Sequence, residues 1–237
     1  MSERLRIGLL QCGHVMPALA ERHGDYPELF ERFLAPFDID ITTYDVTDGV
    51  LPADVAEQDG WLISGSTNST YDDLPWIPPL ESFLRSVVNS ARPVVGICFG
   101  HQILAQALGG RVEKSDAGWG IGGHDYDVVA RHPWISDTAR VRLIASHQDQ
   151  VSVLPDGAEV FLRTDHCPNA GYTLGDDIMT IQPHPEFERD LSRELTETRH
   201  AIFGEALTAE GLASLDQPLD NHEVARWIGT FLKARCR

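Results

Sequence analysis

The sequence has few cationic side chains. Its 237 residues include only 19 Lys and Arg against 36 Asp and Glu, which gives a formal net charge of −17 at pH 7. Nucleic acids and anionic membranes bind proteins through basic patches, so the deficit argues against both as partners. A solvated acidic surface that keeps the chain in solution is the ordinary explanation of such a charge.

Cysteine is also scarce. The four cysteines, Cys12, Cys98, Cys167 and Cys236, show no Cys-x-x-Cys spacing and no dense pattern, and the histidines outside the motifs below have no ligand-like spacing. Neither a zinc site nor a disulfide framework is indicated. We therefore expect no metal and no cofactor. A reducing cytoplasm is the predicted location, because a reactive thiol requires it.

Long hydrophobic runs are missing. The first apolar stretch, Leu5 to Leu10, is too short for a signal peptide, and no run approaches the length of a membrane span. There is also no internal repeat, low-complexity tract or Pro/Gly/Ser-rich linker. With 42% apolar residues, the chain can build a sizeable core. We predict one domain over residues 1–237, with a C-terminal helical extension from about 191 to 237.

The most informative motif in the sequence is the segment Val94 to Gln102, Val-Val-Gly-Ile-Cys-Phe-Gly-His-Gln. Its β-branched start is typical of a buried strand, Gly-x-Cys-x-Gly is typical of a tight turn, and a helix follows. Such a turn holds Cys98 at the tip of a sheet, exposed, above a helix N-terminus that favours a thiolate. Cys98 is therefore the candidate nucleophile.

A second motif, Pro183-His184-Pro185-Glu186, follows a short apolar strand at Ile178 to Gln182. Residues i and i+2 of extended backbone point to the same side, so His184 and Glu186 can form a base and its orienting carboxylate. A thiol nucleophile needs such a base, and the base needs a third group to fix its tautomer. Cys98, His184 and Glu186 are thus predicted to be catalytic.

These motifs resemble the class I glutamine amidotransferase family. Cys98, His184 and Glu186 look like its Cys-His-Glu triad, and Ser146 to Val151 is similar to its Ser-His-x-Asp-x-Val substrate loop. The segment Leu62 to Asp72 is similar to the Ser-Gly-Gly-Pro-x-Ser-x-Tyr oxyanion loop of GMP synthetase glutaminase domains. The chain departs from the family at Ser66 and Thr67, which replace a Gly and a Pro, and at Pro183, which replaces an aromatic residue.

The resemblance implies hydrolysis of glutamine or another γ-glutamyl amide through a thioester on Cys98. It also implies that the glutamate of the triad is partly exposed. Backbone N–H groups of Ser66 and Phe99 are the implied oxyanion donors. The implied substrate-binding residues are Gly65, Gln102, Ser146, His147 and Gln148.

Alternating strand and helix patterns predict an α/β fold with a mainly parallel sheet and helices on both faces. The family resemblance implies the three-layer, doubly wound, flavodoxin-like form of this fold. Strands are expected at 5–11, 39–46, 60–64, 93–97 and 178–182, and helices at 28–37, 79–90, 191–207 and 222–235. Two-residue alternation at 128–131, 141–145, 160–163 and 171–174 predicts an additional small antiparallel sheet. Ligands bind such folds beyond the strand C-termini, where Ser64, Cys98 and His184 all fall.

Three functions remain open. The first is a stand-alone γ-glutamyl hydrolase that acts on a small-molecule substrate. The second is a glutaminase subunit that supplies ammonia to a separate synthetase, since the chain has no Gly-x-x-x-x-Gly-Lys-Ser/Thr loop and little length for a synthetase domain of its own. The third is a non-catalytic binding or regulatory relative of the fold, against which the complete Cys98, His184 and Glu186 set argues.

Overall fold

The computed structural model describes residues 4–236 and contains one large sheet flanked by helices. The strands are β1 (Leu5–Gln11), β2 (Ile39–Asp45), β3 (Gly60–Ile63), β4 (Val94–Ile97), β5 (Arg111–Lys114), β6 (Gly120–Val128), β7 (Arg140–His147), β8 (Asp149–Val153), β9 (Ala158–Arg163), β10 (Gly171–Leu174) and β11 (Ile178–Ile181). The helices are α1 (Pro17–His23), α2 (Tyr26–Leu34), α3 (Ile77–Asn89), α4 (Phe99–Ala107), α5 (Arg189–Thr198), α6 (His200–Phe203), α7 (Glu205–Ser214) and α8 (Asn221–Arg235).

The large sheet has nine strands in the order β2-β1-β3-β4-β11-β10-β9-β6-β7. The first five pair in parallel and the remaining pairings are antiparallel. Strands β5 and β8 form a separate antiparallel pair. The predicted α/β class with a small additional antiparallel sheet is therefore confirmed.

The core lies on both faces of the sheet because neighbouring strand residues point in opposite directions. Leu9 packs among residues of α2, α5 and α8, whereas Leu10 packs among residues of α3 and α4. Both side chains are fully buried. This two-sided burial explains why the parallel strands read as continuous apolar runs in the sequence.

Several predicted details of the fold were wrong. The strand expected at 128–131 lies earlier in the chain, as β6, which ends at Val128. The antiparallel strands of the middle section mostly extend the large sheet instead of forming a separate small sheet. The helix expected at 28–37 is α2, which begins at Tyr26, because Asp25 and Glu28 form a capping box there, and ends at Leu34. The helix expected at 191–207 is divided into α5, α6 and α7, with Gly204 at φ 80° between the last two.

The sheet topology brings the two motifs together. Strands β4 and β11 are parallel neighbours, with Ile97 opposite Ile181, so the segments that follow them leave the same edge of the sheet. Strand β3 lies on the other side of β4 and ends at Ile63, just before Ser64. The expectation that Ser64, Cys98 and His184 follow the C-terminal ends of neighbouring strands is thus confirmed.

Candidate active site

Cys98 occupies a tight turn between β4 and α4. Its backbone has φ 53° and ψ −103°, a region that non-glycine residues rarely adopt. Two hydrogen bonds hold this conformation: the Cys98 N–H donates to the Ile181 carbonyl at 2.9 Å, and the Gly100 N–H donates to the Ser64 carbonyl at 3.1 Å. The turn is therefore tied to both neighbouring strands.

Close contacts require glycine at Gly96 in this turn and at Gly65 in the loop after β3. A Cβ atom at Gly96 would lie 2.5 Å from the Gly100 carbonyl oxygen, so the strand and the helix could not approach as they do. A Cβ atom at Gly65 would lie 2.5 Å from the Tyr26 hydroxyl and 2.8 Å from Cε1 of His184. Gly65 is thus packed directly against the candidate base.

His184 and Glu186 form a buried pair. Nδ1 of His184 lies 2.7 Å from Oε1 of Glu186, and both side chains are almost completely shielded from water. The His184 backbone also pairs with β7, since its N–H donates to the Ile144 carbonyl at 2.8 Å. The local backbone is not extended as expected, because Pro185 and Glu186 form a turn, but the two side chains still meet.

The charge state of His184 is set by its neighbours. Burial lowers the pKa of the imidazole, but the Cys98 thiol and the Glu186 carboxylate outweigh burial and raise that pKa to about 10. The same two groups are hydrogen-bond partners of the ring. A protonated imidazole placed between a cysteine sulfur and a carboxylate is an arrangement that can stabilise a thiolate.

Two expectations about exposure were wrong. The turn motif predicts an exposed Cys98, and its relative exposure is 5%. The family resemblance predicts a partly exposed Glu186, and its relative exposure is 3%. Cys98 lies in the wall of a cleft that the loops after β3 and β7 also line, whereas Glu186 lies beneath it, next to His184 and near the buried Tyr26.

The cleft over Cys98 has a volume of about 350 Å³, within the usual range for ligand pockets. Its lining includes Ser66, Gln102, Ser146, His147 and Gln148. A side pocket of about 30 Å³ adjoins it and shares Ser66 and Ser146; this side pocket contains His184. The structure therefore brings the predicted substrate loop, the oxyanion loop and Cys98 to one cavity.

Gln102 and His147 are held by the protein. The Gln102 amide nitrogen donates to the Asp149 carbonyl at 2.8 Å and to Oε1 of Gln182 at 3.0 Å, so both of its hydrogens are in use. Nδ1 of His147 lies 3.2 Å from the Asp149 carbonyl, and burial lowers the pKa of His147 to about 3. His147 is thus a neutral, structural part of the cleft wall.

Among residues 4–236, no helix is long and apolar enough to span a membrane. Within the same residues, no cluster of three or more His, Cys, Asp or Glu side chains could hold a metal ion. All four cysteines are free thiols.

Comparison with known proteins agrees with this geometry. The family model described as "Glutamine amidotransferase class-I" matches residues 26–199. The chain belongs to the class I glutamine amidotransferase family. It is 30% identical over 206 residues to gamma-glutamyl peptidase 5 of Arabidopsis thaliana. The aligned region covers 82% of this chain and 81% of that protein.

Two further proteins are similar to this amidotransferase-family chain. It is 32% identical over 192 residues to a subunit of the glutamine-hydrolysing GMP synthase of Halobacterium salinarum, covering 78% of this chain and 93% of that polypeptide. Among solved structures, the glutamine amidotransferase of Methylobacillus flagellatus is similar with a TM-score of 0.77 at 25% identity, covering 100% of this chain and 96% of the other.

Several residues of the site were not predicted from the motifs. Asp149 accepts hydrogen bonds from the hydroxyls of Ser69 at 2.5 Å and Tyr71 at 3.0 Å, which joins the substrate loop to the oxyanion loop. Phe187 packs on His184, and Arg199 lines both the cleft and the side pocket. The sequence could have indicated two of them, because Asp149 lies within the Ser146 to Val151 motif and Phe187 directly follows the Pro183 to Glu186 motif. Arg199 had no sequence signal.

Proposed function

We propose that this chain hydrolyses γ-glutamyl amides, with Cys98 as nucleophile, His184 as acid and base, and Glu186 as the group that orients His184. The observation that carries the proposal is the buried His184 imidazole, which has Glu186 on Nδ1 at 2.7 Å and the Cys98 thiol as its other partner. Nucleophile, base and orienting acid in this order are the requirement of covalent acyl transfer.

The reaction proceeds in two halves. The Cys98 thiolate attacks the γ-carbonyl carbon, and the protonated His184 delivers its proton to the leaving nitrogen as the C–N bond breaks. Ammonia or an amine departs, and a γ-glutamyl thioester remains on Cys98. His184, now neutral, takes a proton from water as the oxygen attacks the thioester. The C–S bond then breaks, which releases glutamate and restores the thiolate.

Two backbone N–H groups are the proposed oxyanion donors. Phe99 is the first residue of α4, so its N–H has no acceptor within the helix. Ser66 follows Gly65, which contacts His184, and Ser66 lines the cleft together with Cys98. The Gly-to-Ser departure at Ser66 keeps the backbone donor that this role needs. Loss of one such donor costs about 2.7–4 kcal/mol of transition-state stabilisation in enzymes of this type.

The glutamyl moiety is proposed to lie in the cleft. Both hydrogens of the Gln102 amide are engaged by the protein, so its Oε1 is the atom left to accept a bond from the substrate ammonium. Ser146, His147 and Gln148 form the opposite wall, with His147 acting through its backbone and its shape because its ring is neutral and bonded to Asp149. Gly65 provides the space beside His184.

We propose that the chain acts without a partner. Arg199 and Ile202, from the helical region after residue 189, line the cleft, so this chain itself builds a wall over Cys98. The resemblance to gamma-glutamyl peptidase 5 supports autonomous hydrolysis. The resemblance to the GMP synthase component of Halobacterium salinarum supports the alternative, a glutaminase subunit that supplies ammonia to a synthetase.

The deciding experiment measures turnover by the purified chain. Glutamine, γ-glutamyl dipeptides and glutathione are incubated separately with the wild type and with Cys98→Ala, and released glutamate is quantified. We expect glutamate release by the wild type alone. If the wild type equals Cys98→Ala on every compound, the chain either needs a synthetase or is a non-catalytic relative of the family.

A further inference from the structure

Arg199 places an unpaired cation in the cleft. In a chain of net charge −17, most arginines of the described part hold an ion pair or a hydrogen bond with their side chains. No carboxylate among residues 4–236 forms an ion pair with Arg199. Its side chain is nevertheless half-buried and close enough to Cys98 for their charges to interact. A partly buried guanidinium without a carboxylate partner in the protein is available to a carboxylate of a ligand.

The backbone of Arg199 is held firmly while its side chain remains available. Arg199 lies at the junction of α5 and α6, where its N–H donates to the Leu195 carbonyl at 3.1 Å. Its own carbonyl accepts the N–H of Ile202 at 2.8 Å. The backbone from which the guanidinium extends is therefore fixed by two helix ends, which lowers the ordering cost of binding a ligand at this side chain.

The location of Arg199 identifies the part of the substrate that it faces. Two cations, Lys114 and Arg199, line the cleft in the described part of the chain, and Arg199 alone also lines the side pocket that contains His184. In the proposed reaction His184 protonates the leaving nitrogen, so the side pocket adjoins the leaving group. Arg199 consequently lies on the leaving-group side of the scissile bond, at the junction of the two cavities.

We infer that Arg199 is a specificity-determining residue that binds a carboxylate on the leaving group. The favoured substrate class is then a γ-glutamyl amide of an amino acid, whose leaving amine carries a carboxylate one carbon away from the scissile nitrogen. Guanidinium and carboxylate form two parallel charge-assisted hydrogen bonds, which is the strongest recognition available for this group. Glutamine releases ammonia, which carries no carboxylate, and so gains nothing from Arg199. This inference rests on the proposed hydrolysis.

The test compares two substrates that differ in one group. γ-Glutamyl-alanine carries the leaving-group carboxylate, and γ-glutamyl-alaninamide replaces it with a neutral amide. We expect the wild type to favour the acid by about tenfold or more in kcat/KM, the usual effect of a hydrogen bond to a charged group. Arg199→Gln should bring this ratio close to one, whatever change it causes in the rate that both substrates share. Arg199→Lys should restore part of the preference.

Arg163→Gln is the matched control, because Arg163 is an exposed arginine at the end of β9 and lies outside the lining of the cleft and of the side pocket. This variant removes the same charge and should keep the wild-type ratio. A wild type without preference, or an Arg199→Gln variant that keeps it, overturns the inference and leaves hydrolysis intact. Equal loss on both substrates also overturns it, because Arg199 would then bind the glutamyl carboxylate.

Binding to Cys98→Ala separates this inference from the proposed function. Calorimetry of this variant with both compounds requires no turnover. If γ-glutamyl-alanine binds more tightly than its amide, and Arg199→Gln in the same background abolishes the difference, Arg199 recognises the carboxylate even when no hydrolysis is found. If both compounds bind equally, the inference fails whatever the activity.

Discussion

The Phe187 ring stacks on the His184 imidazole, with the ring centroids 4.1 Å apart and the ring planes 13° from parallel. Tyr26 stacks in turn on Phe187 at 6.3 Å and 26°. The imidazole is therefore held on one face by an aromatic layer and at Nδ1 by Glu186. These two contacts limit both the tilt and the rotation of the ring, so Phe187 is a positioning residue for His184.

Replacement of Phe187 should reduce the rate more than the affinity. In Phe187→Leu, the imidazole loses its flat support, and we expect kcat to fall by about 10- to 100-fold because small misplacement of a catalytic group costs this much. KM should change little. Phe231→Leu removes a ring of the same size from the buried face of α8 and is the control for lost stability. Equal kcat losses in the two variants would show that Phe187 contributes to packing and does not position His184.

Glu186→Gln should keep the fold and lose most of the rate. The buried Glu186 carboxylate helps to raise the pKa of His184, so removal of its charge should lower that pKa below about 10. An NMR titration of the imidazole would measure this change. Loss of the orienting carboxylate costs about 10⁴ in kcat in a Ser-His-Asp enzyme, and we expect a decrease of several orders of magnitude here.

Glu188→Gln is the matched control, since Glu188 is exposed and lies two residues further along the chain. It should leave both kcat and the His184 titration unchanged. A Glu186→Gln variant as fast as the Glu188→Gln variant would show that Glu186 is only a turn residue.

Cys98 should be the only cysteine that reacts with a glutamine-like diazo-ketone. Burial raises the pKa of Cys12, Cys167 and Cys236, the latter two to about 12, so these thiols remain protonated at neutral pH. Peptide mass spectrometry after treatment should find one adduct, on Cys98, with complete loss of activity. Labelling of the other three cysteines with activity retained contradicts this assignment.

Acid should destabilise the protein through two buried histidines. Burial lowers the pKa of His101 and of His147 to about 3, compared with about 6.5 in an unfolded chain. The unfolded state binds more protons between these values, so the stabilisation is fully present above pH 6.5 and is lost as pH falls towards 3. Urea midpoints measured from pH 7 to pH 4 should therefore decrease.

His101→Gln separates this effect from general acid destabilisation. Nδ1 of His101 lies 2.9 Å from the Thr180 hydroxyl, and glutamine can keep a polar group there without titrating. The variant should start less stable at pH 7 and lose stability less steeply than the wild type as pH falls. An unchanged slope would mean that His101 does not control the acid transition.

Much of this protein is determined by local sequence. Strand residues such as Leu9 and Leu10 alternate between two cores, so apolar runs predict the parallel strands. The turn at Cys98 needs glycine at Gly96 because strand and helix touch there, which makes the motif visible in the sequence. The capping box of Asp25 and Glu28 was equally present in the sequence, although the predicted helix began too late.

Only the tertiary structure decided what surrounds the motifs. Whether Cys98 and Glu186 are buried depends on segments distant in the chain, such as the loop after β3 near Cys98 and Tyr26 near Glu186, so residues close in the chain could not reveal it. Arg199 reaches the site of Cys98 from 101 positions further along the chain, through helices whose packing no local pattern encodes. Backbone conformation is governed by near neighbours, whereas burial, pKa and pocket shape depend on every segment that the fold brings within a few ångströms.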